Sequence, residues 1–293
     1  MHPFVESPVE ATAARLMRTA VALLIAGAAG AVLAQAIVSP DDLAAAFASQ
    51  VDRRLELPAD EQARYATLLA DALREHGVEI AAPQVVVLVD RSAFVQAAML
   101  WWVAPQQTGV LIGAAPASTG RPSGFEHFET PLGVYRHTLE NLDFRAEGTR
   151  NENGIRGYGD QGMRVFDFGW VLGQRGWAPG AQAMRLQLHA TDRDRLEPRL
   201  GERASKGCIR IPATLNRFID HYGLLDAAYD EATAAGRRFW VLRVDRQPTP
   251  WPGRYLVVIE SPRDARPDWS SPPRALSRST RAVAPAATRR PRR

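Results

Sequence analysis

The chain has a single cysteine, Cys208, and a single lysine, Lys206, two positions before it; every other basic side chain apart from six histidines is arginine. They lie in the run Ser205-Lys206-Gly207-Cys208-Ile209-Arg210, and His189 precedes Ser205 with fifteen residues between them. A thiol at its ordinary pKa is mostly protonated near neutrality, so a nucleophilic cysteine needs a base or a positive environment. His189 is the nearest plausible base in sequence, and Lys206 and Arg210 supply positive charge. Gly207 lets backbone N–H groups, its own and that of Cys208, come close enough to form an oxyanion hole. Pro212 suits the first turn of a helix directly downstream, which places the thiol near a helix N-terminus. The chemistry indicated is acyl transfer through a thioester.

Blander readings apply to each residue. A lone cysteine is commonly an inert core residue, a histidine at a strand end is commonly a hydrogen-bonded structural group, and Lys206 and Arg210 are also compatible with solvated surface charge. The remaining histidines, among them His127, His137 and His221, show no ligand spacing, so no metal and no cofactor are expected. Trp170 and Tyr158 are read as core packing in preference to lining a peptide groove.

The elements that must position these residues read as mainly β. QVVVLVD from Gln84 is a β-branched run suited to a buried strand. AFVQAAMLWWV and TGVLIGAA follow as strands, the first of them also compatible with a helix. RVFDFGWVLG and AMRLQLH alternate apolar and polar residues, the period of half-buried strands. FWVLRVD and RYLVVIES complete the series. One helix is expected after the cysteine, where Leu215, Phe218, Ile219 and Tyr222 share a face and Gly223 follows as a stop. The polar, Gly-rich stretch 136–163 reads as a loop over the active site.

Upstream, 37–82 is a helical preamble. Leu43, Phe47, Val51 and Leu55 form one apolar stripe, and Tyr65, Leu68, Leu69, Ala72 and Leu73 form another. Arg15 and Arg18 precede the apolar run Thr19–Leu33, and Ala34-Gln35-Ala36 supplies a small-residue cleavage site, so 1–36 reads as a signal peptide. An uncleaved anchor is the alternative. Either address is exported, to the periplasm or cell envelope. From Pro262 onward nine Arg face two Asp, which leaves residues 1–261 about three charges negative. The surplus belongs to a Pro/Arg/Ser tail, 262–293, expected to be disordered. That tail suits anionic envelope polymers, and no nucleic-acid partner is expected of the fold.

At His189, at Ser205 to Arg210 and at ASTGRPSGFEHFETPLGVYRHT, with its Thr130-Pro131-Leu132-Gly133, the chain resembles the L,D-transpeptidase (YkuD) catalytic domain. That pattern is a His, a spacer of about this length, then Ser/Thr-His-Gly-Cys, an apolar residue, and Asn or Arg. The resemblance covers roughly residues 84–245 within a domain placed at 83–261. It implies a β-sandwich or barrel with one main helix after Cys208. It also implies His189 as general acid/base, oriented by the Ala190 carbonyl, and Arg210, Ser205 and Lys206 toward the substrate. The implied substrate is a peptidoglycan stem tetrapeptide, which loses D-alanine and is joined to an amine in a 3→3 cross-link. Lys206 stands where the family usually has His, which touches the tuning of the thiol and the choice of acceptor. A carboxypeptidase or amidase that uses water, and a catalytically retired wall-binding module, are the alternatives.

Overall fold

The strand β1 (Gln84–Asp90) is buried along its whole length, and the reason is that both of its faces are covered. In this computed structural model, which describes residues 37–271, β1 lies inside a five-stranded sheet of order β3-β2-β1-β9-β4. The partners are β2 (Ala97–Val103), β3 (Val110–Pro116), β4 (Gly133–Arg136) and β9 (Tyr255–Ile259). All neighbours pair antiparallel except β1 with β9. The second sheet, β5-β6-β7-β8, comprises β5 (Phe144–Arg145), β6 (Arg164–Gln174), β7 (Ala181–Ala190) and β8 (Ile209–Ile211). Here β7 and β8 run parallel, the others antiparallel.

Alternation along β1 sorts its side chains. Val85, Val87 and Val89 join Phe166, Leu186, Leu188, Ile209 and Ile211 of the second sheet in one core. Val86 and Leu88 face Tyr65, Leu69 and Leu73 on the other side. The result is a mainly β sandwich with four α-helices among the described residues, as expected for the fold class.

The preamble helices are part of this packing. Ser39 caps α1 (Pro40–Gln50) in a capping box with Asp42, and Leu43, Phe47 and Val51 enter the inter-sheet core. The Phe47 ring meets Phe218 edge-on at 5.5 Å. Helix α2 (Ala59–Glu75) covers the outer face of the first sheet. After Cys208 come α3 (Ala213–His221), at the expected position, and α4 (Ala227–Ala234), which no apolar stripe announced.

Two expectations are corrected. FWVLRVD forms turns, with Trp240 and Val244 exposed. Arg145 donates to the Val241 carbonyl and Arg243 pairs with Asp245 within the segment, so its polar groups are engaged outside any ladder. Residues 262–271, read as the start of the tail, instead pack onto the fold. Arg263 pairs with Glu61, Trp269 meets the Tyr65 ring edge-on, and Arg266 donates to Ser271 and Ala93 carbonyls. The expected signal peptide, 1–36, and residues 272–293 of the tail lie outside the described residues. Among the described residues no helix is long and apolar enough to cross a membrane.

Candidate active site

Strand register brings His189 and Cys208 together. In the parallel β7–β8 pair, Leu188 lies opposite Ile209 and His189 opposite Arg210. Stepping back one residue sets Cys208 beside Gln187. Because side chains alternate, Arg185, Gln187, His189, Cys208 and Arg210 share one face of the second sheet.

The Cys208 turn is held by the segment that precedes β4. Ser118 and Arg210 exchange backbone hydrogen bonds at 2.9 Å each, the N–H of Ser205 donates to Thr119 at 3.0 Å, and that of Phe128 to Lys206 at 3.2 Å. The Thr130 hydroxyl donates to the Gly207 carbonyl at 2.7 Å and accepts from the Gly120 N–H at 2.8 Å. Two glycines allow this closeness. A Cβ on Gly120 would lie 1.9 Å from the Phe128 carbonyl oxygen, and Gly207 has φ +135° with Met184 in the way of any side chain. The Thr-Pro-x-Gly element and the Gly-turn before it are therefore the mould of the Cys208 turn.

Ser205 is buried and spends its hydroxyl inside that turn, donating to the Cys208 carbonyl at 2.6 Å and accepting from the Gly207 N–H at 3.0 Å. This corrects two expectations. Ser205 shapes the turn and does not face a substrate, and the Gly207 N–H is already committed. The Cys208 N–H belongs to the peptide whose carbonyl Thr130 holds; in a trans peptide it points the opposite way.

The His189 side chain is buried. Its Nδ1–H donates to the Ala190 carbonyl at 2.5 Å. A carbonyl only accepts, so the proton sits on Nδ1 and Nε2 carries the lone pair. Burial pushes the imidazole down to about 4, against the pull of the Ala190 carbonyl and with help from the Arg210 charge. Burial pushes the Cys208 thiol up to about 11, opposed by a hydrogen bond from the Gln187 backbone and by Arg210. Both groups are thus neutral near pH 7. The thiol donates to the Arg185 carbonyl at 3.5 Å and lies 3.9 Å from Gln187 Oε1.

Arg210 is the cation that acts on both groups, and its guanidinium donates to the Ala204 carbonyl at 3.2 Å. Lys206 is not: its ammonium pairs with Glu126 at 3.1 Å, both side chains more than half exposed. The expectation that Lys206 tunes the sulfur gives way to this pairing.

Gln187 and Arg185 were not singled out from sequence, and Tyr158 and Trp170, read as core, are both exposed. The Tyr158 ring stacks edge-on against His189 at 4.8 Å and its hydroxyl donates to Gln187 Oε1 at 3.0 Å. The Gln187 amide and the Arg185 guanidinium both donate to Asp167. Trp170, read as core, is 67% exposed and lies 5.6 Å from the Arg185 guanidinium. Its strand contact explains the correction: Trp170 follows the bulge in β6 that re-aims the side chains there. With Phe128, Trp177, Met184, Lys206 and Cys208 it lines an open groove of about 400 Å³. Among the described residues no group of acidic, histidine and cysteine side chains is placed to hold a metal.

Residues 84–224 match the model of the YkuD family, the L,D-transpeptidase catalytic domain, so this stretch is similar to that domain. Among solved structures it is similar to the helical cell shape determining protein Pgp2 (K307A mutant) from Campylobacter jejuni, at 12% identity over 79% of this chain and 57% of that one, with a TM-score of 0.26. At that score the likeness carries no argument, and the chain spans just over half of that protein's length. No curated protein matches the chain.

Proposed function

We propose that the protein is an exported peptidoglycan L,D-transpeptidase with Cys208 as nucleophile and His189 as general acid/base. The observation that supports this most is the fixed tautomer of His189, which leaves Nε2 as the base on the strand next to Cys208. The thiol turns from the Arg185 carbonyl toward Nε2 and gives up its proton as sulfur attacks the carbonyl carbon of the third stem residue. The oxyanion is met by the Cys208 N–H. Collapse breaks the C–N bond to D-alanine, whose amine takes the proton from His189, and a thioester remains. An amine of a second stem attacks the thioester, His189 accepts that amine's proton, and the thiolate leaves and is reprotonated. The product is a 3→3 cross-link.

Burial favours the neutral forms of both groups, which supports general-base catalysis over a resting thiolate–imidazolium pair. Arg210 stabilises negative charge as it grows on sulfur. The basic residues beyond 271 suit retention on anionic envelope polymers.

The test is mass spectrometry of the protein after exposure to a stem tetrapeptide, with and without an acceptor stem. An acyl adduct on Cys208 with loss of D-alanine, then cross-linked dimer, is the expected result. Tripeptide alone identifies a carboxypeptidase, and turnover by Cys208→Ala overturns the mechanism.

A further inference from the structure

Lys206 and Glu126 both line the groove that contains Cys208, and they pair with each other at 3.1 Å while remaining more than half exposed. A pair so exposed adds little to stability. Glu126 nevertheless holds φ at +57°, a left-handed conformation that costs a side-chain-bearing residue energy and tends to persist at functional sites. The chain's only lysine and a strained acidic residue are thus presented together at the mouth of the nucleophile's groove, beside the apolar surfaces of Phe128 and Met184.

We infer that the Lys206–Glu126 pair determines specificity for a donor whose third residue ends in a zwitterion, a carbon carrying both an ammonium and a carboxylate. The substrate ammonium meets Glu126, its carboxylate meets Lys206, and the methylene linker lies along Phe128 and Met184. The four charges then alternate in sign. A side chain ending in an ammonium alone draws on Glu126, the partner of Lys206, and offers Lys206 no anion in return. An amidated end loses the attraction to Lys206 in the same way. The inference rests on the proposed transpeptidase reading and names the part of the donor that the groove selects.

Three tetrapeptides that differ only at the third residue provide the test: meso-diaminopimelate, its side-chain amide, and L-lysine. Acylation of Cys208 by each is followed by mass spectrometry, and binding of each to Cys208→Ala by calorimetry. The diaminopimelate peptide is expected to lead the other two by about fivefold in both measurements, the worth of one partly exposed charge contact. Lys206→Met should bring the three together, Lys206→Arg should keep their order, and Glu126→Gln should weaken all three because all carry the ammonium. An unchanged order in Lys206→Met overturns the inference, as does failure of all three to bind. Ordered binding to Cys208→Ala without acylation of the wild-type thiol supports the pair's role and overturns the transpeptidase reading instead.

Discussion

The hydroxyl of Thr130 donates to the carbonyl of Gly207, 77 residues away in sequence, at 2.7 Å, and so fixes the peptide plane whose other end is the Cys208 N–H. Thr130→Val keeps the shape and removes the donor. It leaves a buried carbonyl unsatisfied, which costs about 1–3 kcal/mol of stability, and it frees the peptide to tilt. Acylation should slow by about tenfold or more, the direction expected on misplacing an oxyanion donor. Alkylation of the thiol by iodoacetamide, which needs no oxyanion hole, should change little. Thr130→Ser should recover most of the acylation rate; equal losses in both reactions would assign Thr130 to the thiol itself.

The buried imidazole makes a pH prediction with a definite sign. His189 titrates near 4 in the fold and near 6.5 when unfolded. Between those values the unfolded chain binds a proton that the folded chain does not, so stability falls as pH drops through that window. The loss attributable to His189 is at most about 3 kcal/mol. Urea melts from pH 7 to 4 should show a shallower acid loss in His189→Gln. The base form also persists to acid pH, so the acid limb of the acylation rate should lie well below the pH at which an ordinary histidine titrates.

Alkylation of Cys208 distinguishes the two nearby cations. Burial sets the thiol near 11 and Arg210 works against burial, so Arg210→Met should move the iodoacetamide profile to higher pH. Lys206→Met should leave it in place, because that ammonium is paired with Glu126 in solvent. A shift in the Lys206 variant and none in the Arg210 variant would reverse the assignment.

The proposed nucleophile and base were picked out in sequence by their spacing, which is carried by a strand, a loop and a turn. The same alternation that marked AMRLQLH as a strand also puts Arg185, Gln187 and His189 on one face, and that is the signal by which Gln187 and Arg185 were findable. Tyr158 was not, since it reaches His189 from a loop whose path no periodicity encodes. FWVLRVD misled because β-branched and aromatic composition reports burial and pairing together, and its carbonyl at Val241 is taken by Arg145. Trp269 was submerged in a Pro/Arg-rich composition although its ring packs edge-on against Tyr65. Buried Arg164, which binds Asp143, Asp220 and Asp226, likewise needed three separate loops and helices to be placed first.

Helix α1 is tied to the sandwich through Phe47, which is 3% exposed. Phe47→Ala should cost about 3–5 kcal/mol. A Cβ on Gly113 would fall 2.2 Å from the same ring, so Gly113→Ala should destabilise by overpacking, by about 1–3 kcal/mol. Thermal melts of both variants and of the double variant check this. The double variant should be less destabilised than the sum, because the space vacated by the Phe47 ring accommodates the new methyl.

Arg263 and Trp269 clasp residues 262–271 to the fold. Ending the chain after 271 should leave melting temperature unchanged, while ending it after 261 removes Trp269 from Tyr65 and Arg263 from Glu61 and should cost about 2 kcal/mol or more. Equal melting temperatures for the two truncations would show that the clasp contributes nothing.

Strand β9 is the last in sequence among the described residues yet lies in the interior of its sheet, parallel to β1 and antiparallel to β4. Until residues 255–259 arrive, β1 and β4 each keep a bare hydrogen-bonding edge, the template on which chains aggregate. A chain emerging amino end first therefore has no finished first sheet until residues 255–259 have emerged. The keystone goes in last, and a polypeptide stalled before it is a natural client for chaperones and proteases.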